Sequence, residues 1–149
     1  MDLLHKEELR DDEGVYVQFE IPKDDDWLYI NWIGYQDEKR IRTGMNLIIE
    51  TLRKFNIQKL LNNNNNHHGG YPESTYEWIE IDWLPRALES GLRFVATILS
   101  PKVFSRLSAI HMESKFDSGN YKNFDDIEEA EKWLKSMRSE EHTSELQSP

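Results

Sequence analysis

The feature that most constrains the fold is residues 78–109, which have the pattern of a helix, a buried strand and a second helix. The first helical pattern stops at Gly91, a residue type that commonly follows the last helical residue. Residues 92–99 (LRFVATIL) are almost entirely apolar, which is typical of a strand covered on both faces. Ser100 and Pro101 then fit the N-cap and first position of a new helix. This order predicts a layered α/β domain with a mixed, mostly parallel sheet and packed helices.

The remaining elements follow from residue periodicity. β-branched and aromatic runs at 15–20 and 27–33 flank a turn-like segment and predict an antiparallel hairpin. Apolar residues at helical spacing predict helices over residues 37–55 and 126–137. Short strands are expected at 57–61 and 121–124, with residues 1–14 as a polar lead-in. The predicted order is β-β-α-β-α-β-α-β-α.

A further helix is expected after the loop at residues 62–72 (NNNNNHHGGYP). Ser74 and Glu77 have the spacing of a capping box, in which the serine side chain caps the helix. Pro85 lies inside this helix and should kink or divide it near residues 82–84, because proline lacks a backbone N–H and its ring crowds the preceding turn.

Composition restricts the class of protein. The 149 residues, with residues 1–137 as one domain, suffice for a core without covalent staples. The chain has no cysteine, which excludes disulfides and fits a reducing compartment. A net charge of −10 argues against nucleic-acid binding, which needs a basic surface. Without a signal peptide or an apolar run of about 18 residues, we expect a cytoplasmic protein with no membrane span.

Residues 138–149 (RSEEHTSELQSP) show neither hydrophobic periodicity nor turn signals. They resemble the in-frame translation of a common short-read sequencing adapter, and an ordinary disordered polar terminus is the alternative. On either interpretation the segment has no function, and we exclude it from the fold prediction as we would an expression scar.

The element order, together with particular residues, resembles the STAS-like domains related to anti-sigma-factor antagonists. Within these it is most similar to small bacterial proteins grouped with CRAL-TRIO lipid-binding relatives. The residues that carry the resemblance are Trp32, Gly34, 59–62, Trp78, Trp83, Pro85, Gly91, Ser100, Pro101, Phe104, Ser105, Glu129, Ala130, Trp133 and Leu134. The resemblance implies a regulatory, protein-binding module without catalytic activity. In the antagonists a Ser or Thr near the start of the second helix is phosphorylated to switch partner binding. The matching region here offers Ser74 and Thr75, after a longer loop and without the compact Asp-Ser signature of that family.

The expected binding surface lies where two parallel strands end, because ligands of open α/β sheets bind outside the carboxyl ends of strands. The residues assigned to it are Asn62, Asn63, Asn64, Ser74, Thr75, Ser100 and Lys102. Ser74 is explained by helix capping alone, so its phosphorylation remains the second interpretation. The partner is expected to be a protein, with a small molecule or lipid as the alternative, and the oligomeric state is open.

The alternative to a protein-binding module is a carrier of a small ligand or lipid, with an apolar pocket beside the Pro85 kink. Its pocket would be formed by Trp78, Asp82, Trp83 and Pro85, with Asp82 as the polar group. The competing interpretation is that the tryptophans belong to the core.

The sequence offers no catalytic motif, so we expect neither enzymatic activity nor a cofactor. His67 and His68 are adjacent in a loop, with no further ligand at useful spacing, and favour a solvated loop over a metal site.

Overall fold

A computed structural model describes residues 2–68, 73–101, 110, 113–114 and 119–138. The strands of this part are β1 (Leu3–Asp11), β2 (Gly14–Pro22), β3 (Trp27–Trp32), β4 (Gly34–Tyr35), β5 (Lys59–Asn63), β6 (His67–His68), β7 (Phe94–Ile98) and β8 (Tyr121–Phe124). Its helices are α1 (Glu38–Phe55), α2 (Glu73–Trp78), a π-helical segment (Ile79–Trp83), α3 (Leu84–Glu89) and α4 (Ile127–Ser136).

The main sheet has six strands in the order β1-β2-β3-β5-β7-β8. The β1–β2 and β2–β3 pairs are antiparallel, while β3, β5, β7 and β8 run parallel to one another. A second sheet pairs β4 with β6 in parallel. The predicted α/β class with a mixed, mostly parallel sheet is therefore confirmed.

The amino-terminal segment corrects one prediction. The polar lead-in expected over residues 1–14 contains β1, which pairs along its length with β2. The charged run had suggested solvated chain, yet an edge strand exposes one face and tolerates charge there. On the inner face of β1, Leu9 packs against the core and the His5 ring lies 4.9 Å from that of Phe55.

Several predicted elements are confirmed with small shifts in their bounds. The β2–β3 hairpin, α1, β8 and α4 lie where the pattern places them. Asp37 caps α1 by accepting from the Arg40 backbone N–H at 2.8 Å, and Asp126 caps α4 through the Glu128 N–H at 3.3 Å. The strand predicted at 57–61 begins two residues later and includes Asn62 and Asn63, which were expected in the loop.

The helix interrupted by Pro85 is divided as predicted. The Leu84 N–H donates to the Ile79 carbonyl, five residues back, so the turn before the proline is π-helical. An α-helical register would aim the Ile81 carbonyl at the proline, which has no N–H and crowds that position. The wider turn relieves this conflict, and α3 then ends before Gly91, whose φ of +110° suits glycine.

Two apolar layers enclose the sheet. Helix α1 and the segment from the π-helical turn to α3 cover one face, with Trp32 and Trp83 among the buried residues. Helix α4 covers β5, β7 and β8 on the other face, where Trp27 and Leu134 are buried. The helix expected after Ser100 falls on residues 102–112, most of which lie outside the described residues. Among the described helices, none has the length and apolar character needed to cross a bilayer.

Candidate functional site

The candidate site is the edge of the sheet where parallel strands β3, β5 and β7 end. Asn62 and Asn63 are the last two residues of β5 and point to opposite faces of the sheet, as neighbours in a strand do. Asn62 Oδ1 accepts from Trp32 Nε1 at 2.8 Å, while Asn63 Nδ2 donates to the Tyr29 hydroxyl at 2.8 Å. These two amides fasten the ends of β3 and β5 together.

Asn64 continues this role in the turn that follows β5. Its side chain is buried, and its backbone N–H donates to the Ile98 carbonyl at the end of β7 at 2.9 Å. Its own carbonyl accepts from the His67 N–H at 3.0 Å and closes the turn. The predicted surface residues Asn62 and Asn64 are therefore structural anchors, and the exposed part of this loop is Asn65 and Asn66.

The small sheet of β4 and β6 brings Ser100 to the same edge. The Gly34 N–H donates to the Asn66 carbonyl at 2.8 Å, which holds the loop against the chain after β3. The buried Ser100 hydroxyl donates to the His67 carbonyl at 2.9 Å. His67 thus links Asn64 and Ser100, two of the residues predicted for this surface, whereas Lys102 lies outside the described residues.

The histidine pair differs from the solvated loop that the sequence favoured. His67 is only 2% exposed, while His68 is exposed. Burial, and secondarily the neighbouring His68, lowers the pKa of His67 to about 4. His67 is consequently neutral at physiological pH and belongs to the packed interior of this edge. Alternating burial in a two-residue strand is too short a signal to read from sequence.

Ser74 and Thr75 lie at the start of α2, but not as the capping box predicted. Helix α2 already begins at Glu73, and the exposed Ser74 hydroxyl donates to Glu38 Oε1 at 2.8 Å. The Thr75 hydroxyl lies 3.4 Å from the same oxygen and its side chain is fully buried. The N-cap prediction for Ser74 is therefore wrong: its hydroxyl links the first turns of α1 and α2. Of the two hydroxyls, only that of Ser74 is exposed.

The residues predicted to line a pocket do not surround one apolar space. Trp83 fills the core, and its Nε1 donates to the Met45 carbonyl at 2.6 Å. Asp82 faces solvent and forms an ion pair with Arg86 at 2.7 Å. Trp78 lies under the Arg42 guanidinium, 4.9 Å from its ring centroid, and Pro85 is exposed. The prediction that Asp82 is the polar group of an apolar pocket is therefore wrong, because its side chain is exposed to solvent.

Sequence reasoning missed a cavity of about 280 Å³ at the opposite end of the sheet, lined by Ile21, Phe55, Asp26 and Lys59 among others. Lys59 is buried there, pairs with Asp26 Oδ2 at 3.0 Å and donates to the Leu134 carbonyl at 2.7 Å. The available signal was a lysine in a predicted strand, directly before Leu60 and Leu61, since such a lysine needs a partner when buried.

Within the described ranges, no cluster of three or more His, Asp or Glu side chains is arranged to hold a metal ion. The polar side chains at the strand ends are the amides of Asn62, Asn63 and Asn64, the Ser100 hydroxyl and the imidazoles of His67 and His68.

No protein-family model, curated protein or solved structure matches this chain. The fold and the geometry of the site are therefore what a functional proposal must rest on.

Proposed function

We propose that this chain is a non-catalytic, cytoplasmic STAS-like module that binds a protein partner through the edge described above and is switched at Ser74. The observation that carries the proposal is the exposed Ser74 hydroxyl, 2.8 Å from Glu38 Oε1. This contact, together with the longer one from the Thr75 hydroxyl, joins the first turns of two helices that flank the carboxyl ends of the strands.

The surroundings of Ser74 support recognition. Tyr35 is 67% exposed and lies three residues before Glu38, while Asn65, Asn66 and His68 are exposed on the neighbouring loop. An exposed tyrosine beside amides is a frequent composition of contact surfaces, since it adds apolar area and a hydrogen-bonding tip at low entropic cost. We call this set the Ser74 surface: Tyr35, Glu38, Asn65, Asn66, His68 and Ser74.

Phosphorylation would change this surface through charge. A phosphate carries about −1.5 to −2 at neutral pH, so replacing the Ser74 hydrogen sets that charge against Glu38. The Arg42 guanidinium lies 3.8 Å from Glu38 Oε1 and is available to move to the phosphate. The Ser74–Glu38 hydrogen bond would be lost and Arg42 would pair with the phosphate, which changes the charge of the surface while the buried Asn64 and Ser100 stay in place.

The direct test is quantitative capture of partners from a bacterial cytosolic extract, using tagged wild-type chain and the Ser74→Ala and Ser74→Asp variants. We expect Ser74→Ala to retain at least one specific partner that Ser74→Asp loses. The matched control is Ser136→Asp, which adds the same charge at an exposed serine on α4. Capture of the same proteins at the same strength by all four chains would remove the switch from the proposal.

A small-ligand carrier is the second candidate, and the cavity beside Lys59 favours it. A volume of about 280 Å³ lies at the lower limit of small-molecule sites and is too small for a lipid chain with its headgroup. Native mass spectrometry of the purified chain is the test. A reproducible added mass that Ile21→Trp abolishes supports a carrier, and bare protein mass before and after denaturing extraction argues against it.

A further inference from the structure

The outer face of the helix that runs from α2 to α3 carries an uncovered row of apolar side chains. Ile81 and Leu88 are 76% and 49% exposed, and Pro85 between them is exposed as well. The buried side chains of the same helix include Ile79, Trp83 and Ala87, so these three exposed residues lie on its side away from the core, and we call them the apolar ridge.

The ridge is held rigidly by the opposite face of the same helix. Ile79, Trp83 and Ala87 are buried at 2% exposure or less. The hydrogen bond from Trp83 Nε1 to the Met45 carbonyl ties the helix to α1 at 2.6 Å. Ile81 is therefore exposed on a helix whose other face is firmly packed, and its exposure does not come from a loose or unfolded segment.

The flanks of the ridge are acidic. The segment 73–89 contains five carboxylates and one basic residue, Arg86. The Arg86 guanidinium is engaged by Asp82 at 2.7 Å and by Asn46 at 2.8 Å. Glu77 and Glu89 are exposed near the two ends of the ridge. A partner must therefore combine apolar side chains with positive flanks.

We propose that the apolar ridge docks an amphipathic helix of a partner protein, with apolar residues at i, i+4 and i+7 and Lys or Arg on both sides. Helix-on-helix packing suits a narrow strip, and the basic flanks complement the carboxylates. A second copy of this chain is a poor occupant, since its ridge would bring the same carboxylates into contact and its net charge is −10. An anionic membrane is also a poor occupant, because the carboxylates beside the ridge and the net negative charge of the chain repel its headgroups.

This surface goes beyond the Ser74 switch. Ile81 lies seven residues after Ser74, about 10 Å along the helix. The two proposals can fail separately, because variants on the ridge leave the Ser74–Glu38 contact intact.

The probes are three labelled peptides of about 18 residues, long enough to form a helix on binding. One has Leu at helical spacing with Lys elsewhere, the second replaces Lys by Glu, and the third replaces Leu by Ser. Fluorescence anisotropy with the full chain measures binding of each. We expect the Leu/Lys peptide to bind at least about tenfold more tightly than the other two, and to weaken as salt rises from about 50 to 300 mM.

The double variant Ile81→Ser, Leu88→Ser should bind the Leu/Lys peptide at least about tenfold more weakly, since it lacks the two large side chains of the ridge. Leu4→Ser is the matched control, because Leu4 is 61% exposed on the edge strand β1 and lines the cavity near Lys59, so its loss should leave binding at the ridge unchanged. Circular dichroism confirms that each variant is folded.

Three results would overturn the proposal. Equal binding of the Leu/Lys and Ser/Lys peptides would mean that charge alone attracts them. Unchanged binding by the double variant would place the contact elsewhere. Co-sedimentation of the wild-type chain with vesicles rich in phosphatidylglycerol, lost in the double variant, would assign the ridge to a membrane instead.

Discussion

At the scale of single residues, close packing decides identities that hydrophobic pattern does not reveal. Gly44 lies inside α1, where glycine is normally a poor choice. A Cβ built on Gly44 would lie 2.6 Å from Cη2 of Trp32, so the indole occupies the place of a side chain. The sequence shows both residues, but the contact joins a helix to a strand and is visible only in three dimensions.

We predict that Gly44→Ala lowers the free energy of unfolding by about 1–3 kcal/mol, because the methyl group must displace the buried indole. Urea denaturation measures the change. Glu50→Ala, at an exposed position of α1, is the control and should be close to neutral. A gain of about 0.5–1 kcal/mol for Gly44→Ala, the usual benefit of removing a helical glycine, would contradict the close contact.

His67 gives a pH-dependent prediction at the same scale. Its pKa is lowered to about 4 in the folded chain, so between that value and the unfolded value of 6.5 the unfolded chain binds the extra proton. Stability from neutral His67 is complete above about pH 6.5 and is lost as pH falls toward 4. Wild type should therefore lose about 2 kcal/mol more than His67→Gln between pH 7 and pH 4.5. Parallel pH profiles of the two proteins would show that His67 does not titrate as stated.

At the scale of elements, periodicity predicts the long and regular pieces well. Helices α1 and α4 lie where the pattern places them, because each has a full apolar stripe. The elements that were missed have weak local signals. Strand β1 is nine residues long but charged, and its pairing with the next strand, β2, defines it. Strands β4 and β6 have two residues each and are defined by pairing with one another across α1 and β5.

The same limit applies to the site. The strand ends after β5 and β7 correctly indicate where Asn64 and Ser100 meet. The Ser74–Glu38 contact joins residues 36 positions apart, and no local rule predicts it. A capping-box spacing that starts one residue inside a helix looks identical, in sequence, to one that starts at the cap.

Lys59 tests how α4 is attached to the sheet. Its ammonium bonds the Leu134 carbonyl in the last turn of α4, where a cation is favoured, as well as Asp26. We predict that Lys59→Met costs about 1–3 kcal/mol, because the carbonyl loses its partner inside the protein. Asp26→Asn should cost less than about 1 kcal/mol, since the Asp26 side chain is 63% exposed. Thermal denaturation of both variants shows which loses more stability. A larger loss for Asp26→Asn would mean that the ion pair, and not the bond to the Leu134 carbonyl, is the stronger contact of Lys59.

At the scale of the whole molecule, the two ends of the sheet differ in character. The carboxyl end presents exposed tyrosine, amide and hydroxyl groups over buried anchors, whereas the amino end holds a small cavity beside an ion pair. The net charge of −10 favours encounter with basic partners at either end and at the apolar ridge. We therefore propose protein recognition at the Ser74 surface and not at the cavity.

The central claim is tested most directly by mapping a captured partner onto the chain through amide chemical-shift changes. We predict that the largest changes at saturation cluster at Tyr35, Glu38, Asn65 and Ser74, and that Ser74→Asp abolishes them while the remaining spectrum stays folded. Changes clustered instead around Ile21, Phe55 and Lys59, with Ser74→Asp binding as wild type does, would contradict the account.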